Sequence, residues 1–183
     1  MSIANTNELF LHELCEIYDA EHRFIEGQQE MIDSATDQDL KSAIQNHLEE
    51  TRQHAVNVEK VFTELGQEAR RETNEVAVGL VNEAQEGIQQ TQSAALCDAA
   101  IDAAVIKVEH FEMGSYRSLI TGARLMGQTE IERLLRDNMQ QEEEAARIAE
   151  NSAEELLQKA MQESGESQEE GFIDKAKDKL SGQ

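Results

Sequence analysis

Four glutamates occupy the centres of four segments with helical patterns. In each segment apolar residues recur with the period of a helix, and an acidic residue lies at the middle of that stripe or beside it. An ionised carboxylate inside a helical core is costly unless a cation compensates its charge. Antiparallel packing of the helices can bring the four carboxylates to one depth, as a metal site requires. The four residues are Glu21, Glu50, Glu112 and Glu142.

Two further side chains are placed one helical turn from these glutamates. His54 follows Glu50 by four residues, and Glu109 precedes Glu112 by three, so each pair can direct two ligand atoms to one point. Carboxylate oxygens with an imidazole nitrogen suit iron or manganese better than a metal that prefers thiolates. The sequence therefore predicts a site for a pair of iron or manganese ions. Its predicted ligands are Glu21, Glu50, His54, Glu109, Glu112 and Glu142.

A second interpretation of the same residues has to be considered. The chain has 38 Asp and Glu residues, so some of them would fall on an apolar stripe by chance. Any one of the glutamates could be a solvated or ion-paired residue, and in the run from Glu142 to Glu144 only one or two side chains can face inward because neighbours point 100° apart. The prediction therefore depends on the whole set.

Other polar residues are weaker candidates for the site. His47 has the helical phase to face inward but lies one turn away from Glu50. Tyr18 and Tyr116 could donate hydrogen bonds to inner carboxylates or close the bundle. The remaining histidines, which we expect at the surface or at interfaces, are His12, His22 and His110.

The elements that position these residues are all helical. The chain contains no proline and 10 glycines, and residues with high helix propensity dominate long stretches. Gly66 and Gly127 are the expected helix stops, and Asn5 is a candidate N-cap. Two hairpins joined by a crossover predict an all-α, ferritin-like four-helix bundle with a short additional helix in the crossover. The predicted long helices span residues 5–33, 37–66, 94–126 and 129–162, and the short one spans 76–91.

The chain divides into a bundle and a short C-terminal part. Residues 1–162 form the predicted bundle domain, and residues 163–183 form an acidic linker followed by a short amphipathic segment. Phe172, Ile173 and Leu180 would share the apolar side of a C-terminal helix. That helix would dock on the bundle or stay mobile, or, less favourably, dock on a membrane or partner.

Composition limits the classes of partner. With 16 Lys and Arg residues against 38 Asp and Glu, the formal net charge is -22, which disfavours nucleic acid and anionic lipid. No apolar run approaches the roughly 20 residues of a membrane span, and the residues after Met1 are polar, so we predict a cytoplasmic protein without stable membrane insertion. Cys15 and Cys97 lie in helical patterns as small hydrophobic residues. Salt adaptation could also explain the acidity.

Four segments of the chain resemble a known family, the ferritin-like bacterial stress proteins called YciE and YciF. The resemblance covers about residues 5–160. It implies four long helices with a short extra one, a dimer, and an inner site similar to that of the di-iron carboxylate proteins. The segments that carry it are ELCEIYDAEHRF, HLEETRQHAVNVEKVF, CDAAIDAAVIKVEHFEMGSY and LLRDNMQQEEEAA.

The chain departs from the usual ferritin-like ligand pattern. In that pattern the second and fourth helices supply Glu-x-x-His, but here Gln53 is the third residue after Glu50 and His54 is the fourth. On the fourth helix, Ala145 and Ala146 stand where the second histidine is expected. This difference predicts one metal position that is poorer in ligands.

Two functions remain open from the sequence. The first is a metal-binding stress-response protein of the di-iron or di-manganese carboxylate type that acts on peroxide, dioxygen or iron. The alternative is a non-catalytic structural or interaction bundle whose metal site is degenerate or only stabilises the fold. The spacings do not decide whether the protein is an enzyme.

Overall fold

The structure, a computed structural model, describes residues 3–165 and contains five α-helices in that range. Their bounds lie within two residues of the predicted ones, which confirms the all-α prediction. The predicted C-terminal helix lies outside the described residues. The helices are α1 (Thr6–Ser34), α2 (Gln38–Glu64), α3 (Glu75–Gln90), α4 (Ala94–Leu125) and α5 (Thr129–Ser164).

Local sequence signals fix where the helices begin and end. The side chains of Asn5, Asp37 and Asn74 each accept a hydrogen bond from a backbone N–H in the first turn of α1, α2 and α3, and so cap these helices. Gly66 and Gly127 follow α2 and α4 with φ of 66° and 70°, where a side chain would be strained. Local sequence signals therefore mark these helix ends.

The four long helices form the bundle, and α3 lies on its outside. The hairpin α1–α2 packs beside the hairpin α4–α5, with α1 against α4 and α2 against α5. The crossover runs over α1 and α4 through α3. No helix within residues 3–165 has the length and apolar character needed to cross a membrane.

A buried aspartate attaches the crossover to the bundle. Asp19 on α1 is 3% exposed and accepts hydrogen bonds from Arg23, Arg71 and the backbone N–H of Asn74. Desolvation raises the pKa of Asp19, but these donors outweigh it and hold the pKa below its ordinary value. Asp19 therefore fixes the chain just before α3 begins.

The core has two parts, which lie on either side of the bundle's middle. We call the first the closed half: it contains all the buried aromatic side chains of the described residues. The second, the open half, is built from aliphatic and small residues. The closed half includes Phe10, Tyr18, Phe24, Phe62, Tyr116 and Leu135, and the open half includes Met31, Leu40, Ile44, Ile101 and Leu156.

Candidate metal centre

A cluster of carboxylates and imidazoles lies at the junction of the closed and open halves. All four long helices contribute to it, and each contributor occupies a stripe position that the apolar pattern turns inward. The cluster consists of Glu21 from α1, His47 and His54 from α2, Glu109 and Glu112 from α4, and Glu142 from α5.

These side chains form two overlapping groups. His47, Glu109, Glu112 and Glu142 make up the first group, and Glu21, His54 and Glu142 the second. Within each group, one potential ligand atom from every residue lies within 4.8 Å of the others. Four carboxylates and two imidazoles are also the ligand set of di-iron carboxylate bundles, although here both histidines come from one helix.

Glu142 is the residue that the two groups share. Its Oε1 lies 2.7 Å from His54 Nδ1, and its Oε2 lies 3.2 Å from His47 Nε2. The two oxygens of one carboxylate therefore face different histidines. This is the arrangement expected of a carboxylate that bridges two cations.

The cluster leaves an unusual number of buried polar atoms without hydrogen bonds. Among the described residues, every buried side-chain nitrogen or oxygen without a hydrogen-bond partner belongs to this cluster. Orphaned polar atoms are rare in folded proteins because each costs about 1–3 kcal/mol, and more if it is charged. The atoms are Glu21 Oε2, His47 Nε2, His54 Nδ1, Glu109 Oε2, and both carboxylate oxygens of Glu112 and of Glu142.

The spacing of these atoms fits a shared cation. Glu142 Oε1 and His54 Nδ1 are 2.7 Å apart, and His47 Nε2 lies 3.2 Å from Glu109 Oε2, yet none of these atoms is hydrogen-bonded. Neighbouring ligand atoms of a six-coordinate ion with bonds of about 2.1 Å lie about 3 Å apart. Oxygen and imidazole donors suit iron or manganese, so the residues fit the predicted metals.

Hydrogen bonds on the far side of each imidazole orient the ring. His47 Nδ1 lies 3.1 Å from Glu50 Oε2, and His54 Nε2 lies 2.8 Å from Gln141 Oε1. Each oxygen can accept the proton of the nitrogen beside it, which leaves the inward nitrogen as a lone-pair donor. Glu50 and Gln141 thus select the tautomers that a metal needs.

Tyr116 closes the site on the side of the closed half. Its hydroxyl donates to Glu21 Oε1 and accepts a hydrogen bond of 2.9 Å from Asn138 Nδ2. Asn138 in turn accepts a bond of 2.8 Å from Asn57. Tyr18, the other tyrosine considered from sequence, donates instead to Glu59 outside the site.

Electrostatics at the cluster favour protons when no other cation is bound. Burial raises the pKa of Glu21 and of Glu109 to about 8, and the neighbouring carboxylates add to the effect of burial on Glu112. Burial works against a charged His54, but the Glu21 and Glu142 carboxylates raise its pKa to about 9. For Glu142, contacts with both histidines outweigh burial and lower the pKa. Protons and a metal would compete for the same atoms.

The structure rearranges the predicted ligand set on α2. Glu21, His54, Glu109, Glu112 and Glu142 come together, whereas the side chain of Glu50 is 43% exposed and contacts the cluster only through His47. His47 takes the inward position instead. The second histidine, which α5 as the fourth long helix does not provide, is therefore present on α2. Its position on the same stripe as His54 was the signal for it.

A cavity of about 340 Å³ leads from the surface to one side of the cluster. It lies between α2, α4 and α5 in the open half, and His47 and Glu109 line it. On the other side of the cluster, aromatic side chains of the closed half fill the space between its helices. The cavity in the open half therefore gives access to the cluster at His47 and Glu109.

The fold and the site define the chain as a four-helix bundle with a buried carboxylate and histidine centre. Residues 5–162 match the family described as a domain of unknown function, DUF892. The chain belongs to this family. The predicted resemblance is therefore confirmed at the level of the family.

Relatives of this chain include proteins from several bacteria. Protein YciF of Escherichia coli K12 is 30% identical over 143 residues, which cover 78% of this chain and 86% of YciF. The crystal structure of that E. coli stress protein matches with a TM-score of 0.82 at 28% identity, over 86% of this chain and 99% of YciF.

Two further solved structures share the fold. YcfI of Rhodopseudomonas palustris, provisionally described as a structural protein, matches with a TM-score of 0.80 at 34% identity, over 81% of this chain and 95% of its own. A protein of Xanthomonas campestris pv. campestris matches with a TM-score of 0.71 at 22% identity, over 88% of this chain and 99% of its own. The latter likeness supports the fold alone.

Proposed function

We propose that this protein binds two iron or manganese ions in the cluster at the middle of the bundle and serves in a bacterial stress response. The observation that best supports this proposal is that potential ligand atoms without hydrogen bonds converge from four helices. Even with both histidines protonated, four buried carboxylates would face two cationic side chains. Both oxygens of Glu112 are without a hydrogen bond, as expected for a ligand of a cation.

Each residue has a definite role in this proposal. Glu142 would bridge the two positions because its oxygens face different histidines, and Glu112 can supply two free oxygens to the same space. His47 and Glu109 would complete one position, and Glu21 and His54 the other. Glu50 and Gln141 would hold the histidine rings and their tautomers.

The chemistry of the site follows from its surroundings. Bound iron or manganese would supply redox-active, Lewis-acidic ions able to react with peroxide or dioxygen. Tyr116, Phe24 and their neighbours exclude water from the side of the closed half. Tyr116 holds a proton on the hydroxyl that donates to Glu21, and burial raises its pKa well above the ordinary value. Reactants would approach through the open half, where His47 and Glu109 line the cavity.

The stress role is supported by the relatives. The E. coli relative with a closely matching structure is described as a stress protein. A buried site for redox-active metal, accessible from one side, is consistent with defence against peroxide or dioxygen. Iron itself could also be the substrate of such a site.

Elemental analysis of protein purified without a metal-affinity tag tests the proposal. We expect about two equivalents of iron or manganese per chain. Glu142→Gln keeps the volume of the side chain but removes its charge and one ligand oxygen, so it should lose most of the metal. Glu143→Gln, one residue further and 45% exposed, is the matched control and should retain it.

Two results would refute a metal function. One is wild-type protein that contains no metal and resists reconstitution with iron(II) or manganese(II). The other is equal metal content in the Glu142→Gln and Glu143→Gln variants, with helicity by circular dichroism showing that both are folded. Either result would remove the support that the orphaned atoms give.

A second candidate function is supported by the same geometry. Ligands from four helices would link the two hairpins, so a bound ion could serve only to stabilise the bundle. The provisional description of YcfI as a structural protein agrees with this alternative. A purely stabilising ion would raise the melting temperature without any spectral change on addition of peroxide or dioxygen to the reduced protein.

The homodimer is a prediction from the family resemblance, and the cytoplasmic location is a prediction from the sequence. Sedimentation analysis of the full chain tests the first, and cell fractionation tests the second. A monomer at micromolar concentration would contradict the predicted dimer, and it would leave the metal centre intact because one chain supplies all its candidate ligands.

A further inference from the structure

The cavity in the open half has the size and walls of a small-molecule site. Its volume of about 340 Å³ falls in the range of about 300–1,000 Å³ that is typical of ligand pockets. Leu40, Ile44 and Val105 supply apolar surface from α2 and α4, and Ile148 and Leu156 supply it from α5. Water in contact with these walls would be released by an apolar ligand.

Small residues create this space. Ala43 on α2 and Ala145, Ala149 and Ser152 on α5 line the cavity where larger side chains would close the gap between the two helices. A protein core normally fills such a gap because unfilled volume costs stability. The space therefore results from the small residues at these positions.

A buried carboxylate in the wall distinguishes this cavity from a purely apolar one. Asp102 on α4 lines the cavity, is 2% exposed, and lies two helical turns, about 10 Å, from Glu109. Within residues 3–165, the only hydrogen bond that Asp102 accepts comes from Ser152 Oγ, which lies 2.7 Å from Asp102 Oδ1. Burial raises the pKa of Asp102 above its ordinary value. A cationic group in the cavity would compensate this carboxylate.

The rim of the cavity is acidic. The exposed or half-exposed charged residues that line it include Asp39, Glu144 and Glu155. Lys159, the one Lys or Arg among the described lining residues, lies 2.8 Å from both an oxygen of Asp37 and an oxygen of Glu155, so its charge is compensated. The rim therefore repels anions and attracts cations.

We propose that this cavity binds a small organic cation, with an apolar body against α2, α4 and α5 and a protonated amine at Asp102. The bound molecule would lie beside His47 and Glu109, at the accessible side of the metal centre. This site does not depend on the proposed metal function, since its residues are distinct from the candidate ligands except where His47 and Glu109 meet the inner end.

Calorimetric titration of the full-length protein with three probes of similar length tests the proposal. The probes are n-hexylamine, 1-hexanol and hexanoate, and the protein is first dialysed against a chelator so that no metal can bind the amine. At neutral pH we expect the amine to bind more tightly than the alcohol and hexanoate to show no binding. Asp102→Asn should weaken amine binding about tenfold and leave the alcohol unchanged.

Three further variants complete the design. Ala149→Leu should abolish binding of the amine and the alcohol because the added side chain fills the cavity. Ala69→Leu, at an exposed position of the crossover, is its matched control. Asp33→Asn, at an exposed position of α1, has the same charge change as Asp102→Asn and should leave amine binding unchanged.

The proposal is overturned if no probe binds, if the amine and the alcohol bind equally, or if Asp102→Asn leaves amine affinity unchanged. It is also overturned if the amine does not bind and Asp102→Asn instead slows the uptake of cobalt(II) by the metal centre. In that case the cavity is a path for metal ions. Metal content of the wild type is measured separately, so failure here leaves the metal proposal standing.

Discussion

The closed and open halves of the bundle differ in the side chains that fill the space between their helices. Phe24, Phe62 and Tyr116 belong to the core of the closed half and are at most 2% exposed. In the open half, Ala43 on α2 and Ala145 and Ala149 on α5 line a cavity of about 340 Å³. The candidate metal centre lies between the two halves. The closed half gives the candidate centre a rigid wall that excludes water. The open half is less tightly packed, which makes the candidate centre accessible.

The largest expected difference between the halves is in the stability that is lost when a buried side chain is shortened to alanine. Phe62→Ala should lower the free energy of unfolding by about 3–5 kcal/mol, because Phe62 is fully buried and packs edge-on against Tyr18. Leu156→Ala should cost no more than about 2 kcal/mol, since Leu156 already borders the cavity on one side. Urea denaturation of both variants measures this. Equal losses would mean that the open half is as tightly packed as the closed one.

Two of the buried aspartates, Asp19 and Asp102, sharpen the comparison further. Asp19 accepts hydrogen bonds from Arg23, Arg71 and the Asn74 backbone, so Asp19→Asn should cost about 2 kcal/mol, a value that allows for the partial exposure of the arginines. Asp102→Asn should change stability by less than about 1 kcal/mol, because Asp102 is a poorly compensated carboxylate.

The same urea experiment at pH 7 measures both aspartate variants. A loss for Asp102→Asn as large as that for Asp19→Asn would show that the contact with Ser152 is structurally important. It would also weaken the case for a ligand at Asp102.

Replacing an alanine with a larger side chain should have opposite effects on stability in the two halves. Ala149→Leu should raise the free energy of unfolding by about 0.5–2 kcal/mol, because the larger side chain enters the cavity. Ala123→Leu should lower it by about 1–3 kcal/mol, because Ala123 is fully buried in the closed half. Thermal melting of the two variants checks the signs. Destabilisation by both would contradict an open cavity.

The smallest effect is a dependence of metal-free stability on pH. The pKa of Glu21 and Glu109 rises to about 8 in the folded protein from an ordinary 4.5, so folding increasingly opposes their ionisation between those values. The pKa of His54 rises from 6.5 to about 9, so its stabilising charge is fully present below 6.5 and is lost towards 9. Glu142, whose pKa is lowered, acts in the opposite sense, but only below its ordinary range.

We therefore expect the metal-free protein to lose stability as the pH rises from about 5 to about 9. Urea midpoints across this range measure the slope, and Glu21→Gln should reduce it. Stability that stays constant or increases over the range would contradict the raised pKa values. Metal should restore stability most at the high end, where protons no longer compete for the ligands.

Most of the fold could be predicted from the sequence because its signals are local. Gly66 and Gly127, both with positive φ, follow the ends of α2 and α4 as the sequence indicated, and Asn5 caps α1. The 3.6-residue period of the apolar residues placed the inward stripes. The attachment of the crossover to the bundle was harder to predict. It depends on hydrogen bonds from Arg71 and from the backbone N–H of Asn74 to Asp19, which is distant from both in sequence.

The candidate site was predicted less completely, and α2 shows why. His47 and His54 are seven residues apart and differ by about 20° around the helix, whereas Glu50 lies about 60° from His47. The stripe thus favoured both histidines, but the expectation of a central glutamate placed Glu50 among the ligands. The cavity could not be predicted, because it depends on the distance between α2 and α5.

The order in which the candidate ligands occur along the chain has a consequence for biosynthesis. Glu21, His47 and His54 belong to the first hairpin, whereas Glu109, Glu112 and Glu142 belong to the second. During translation the first hairpin leaves the ribosome with at most three ligands and without the shared carboxylate of Glu142. If the centre binds metal as proposed, both of its positions can therefore be filled only after α5 has been synthesised as far as Glu142.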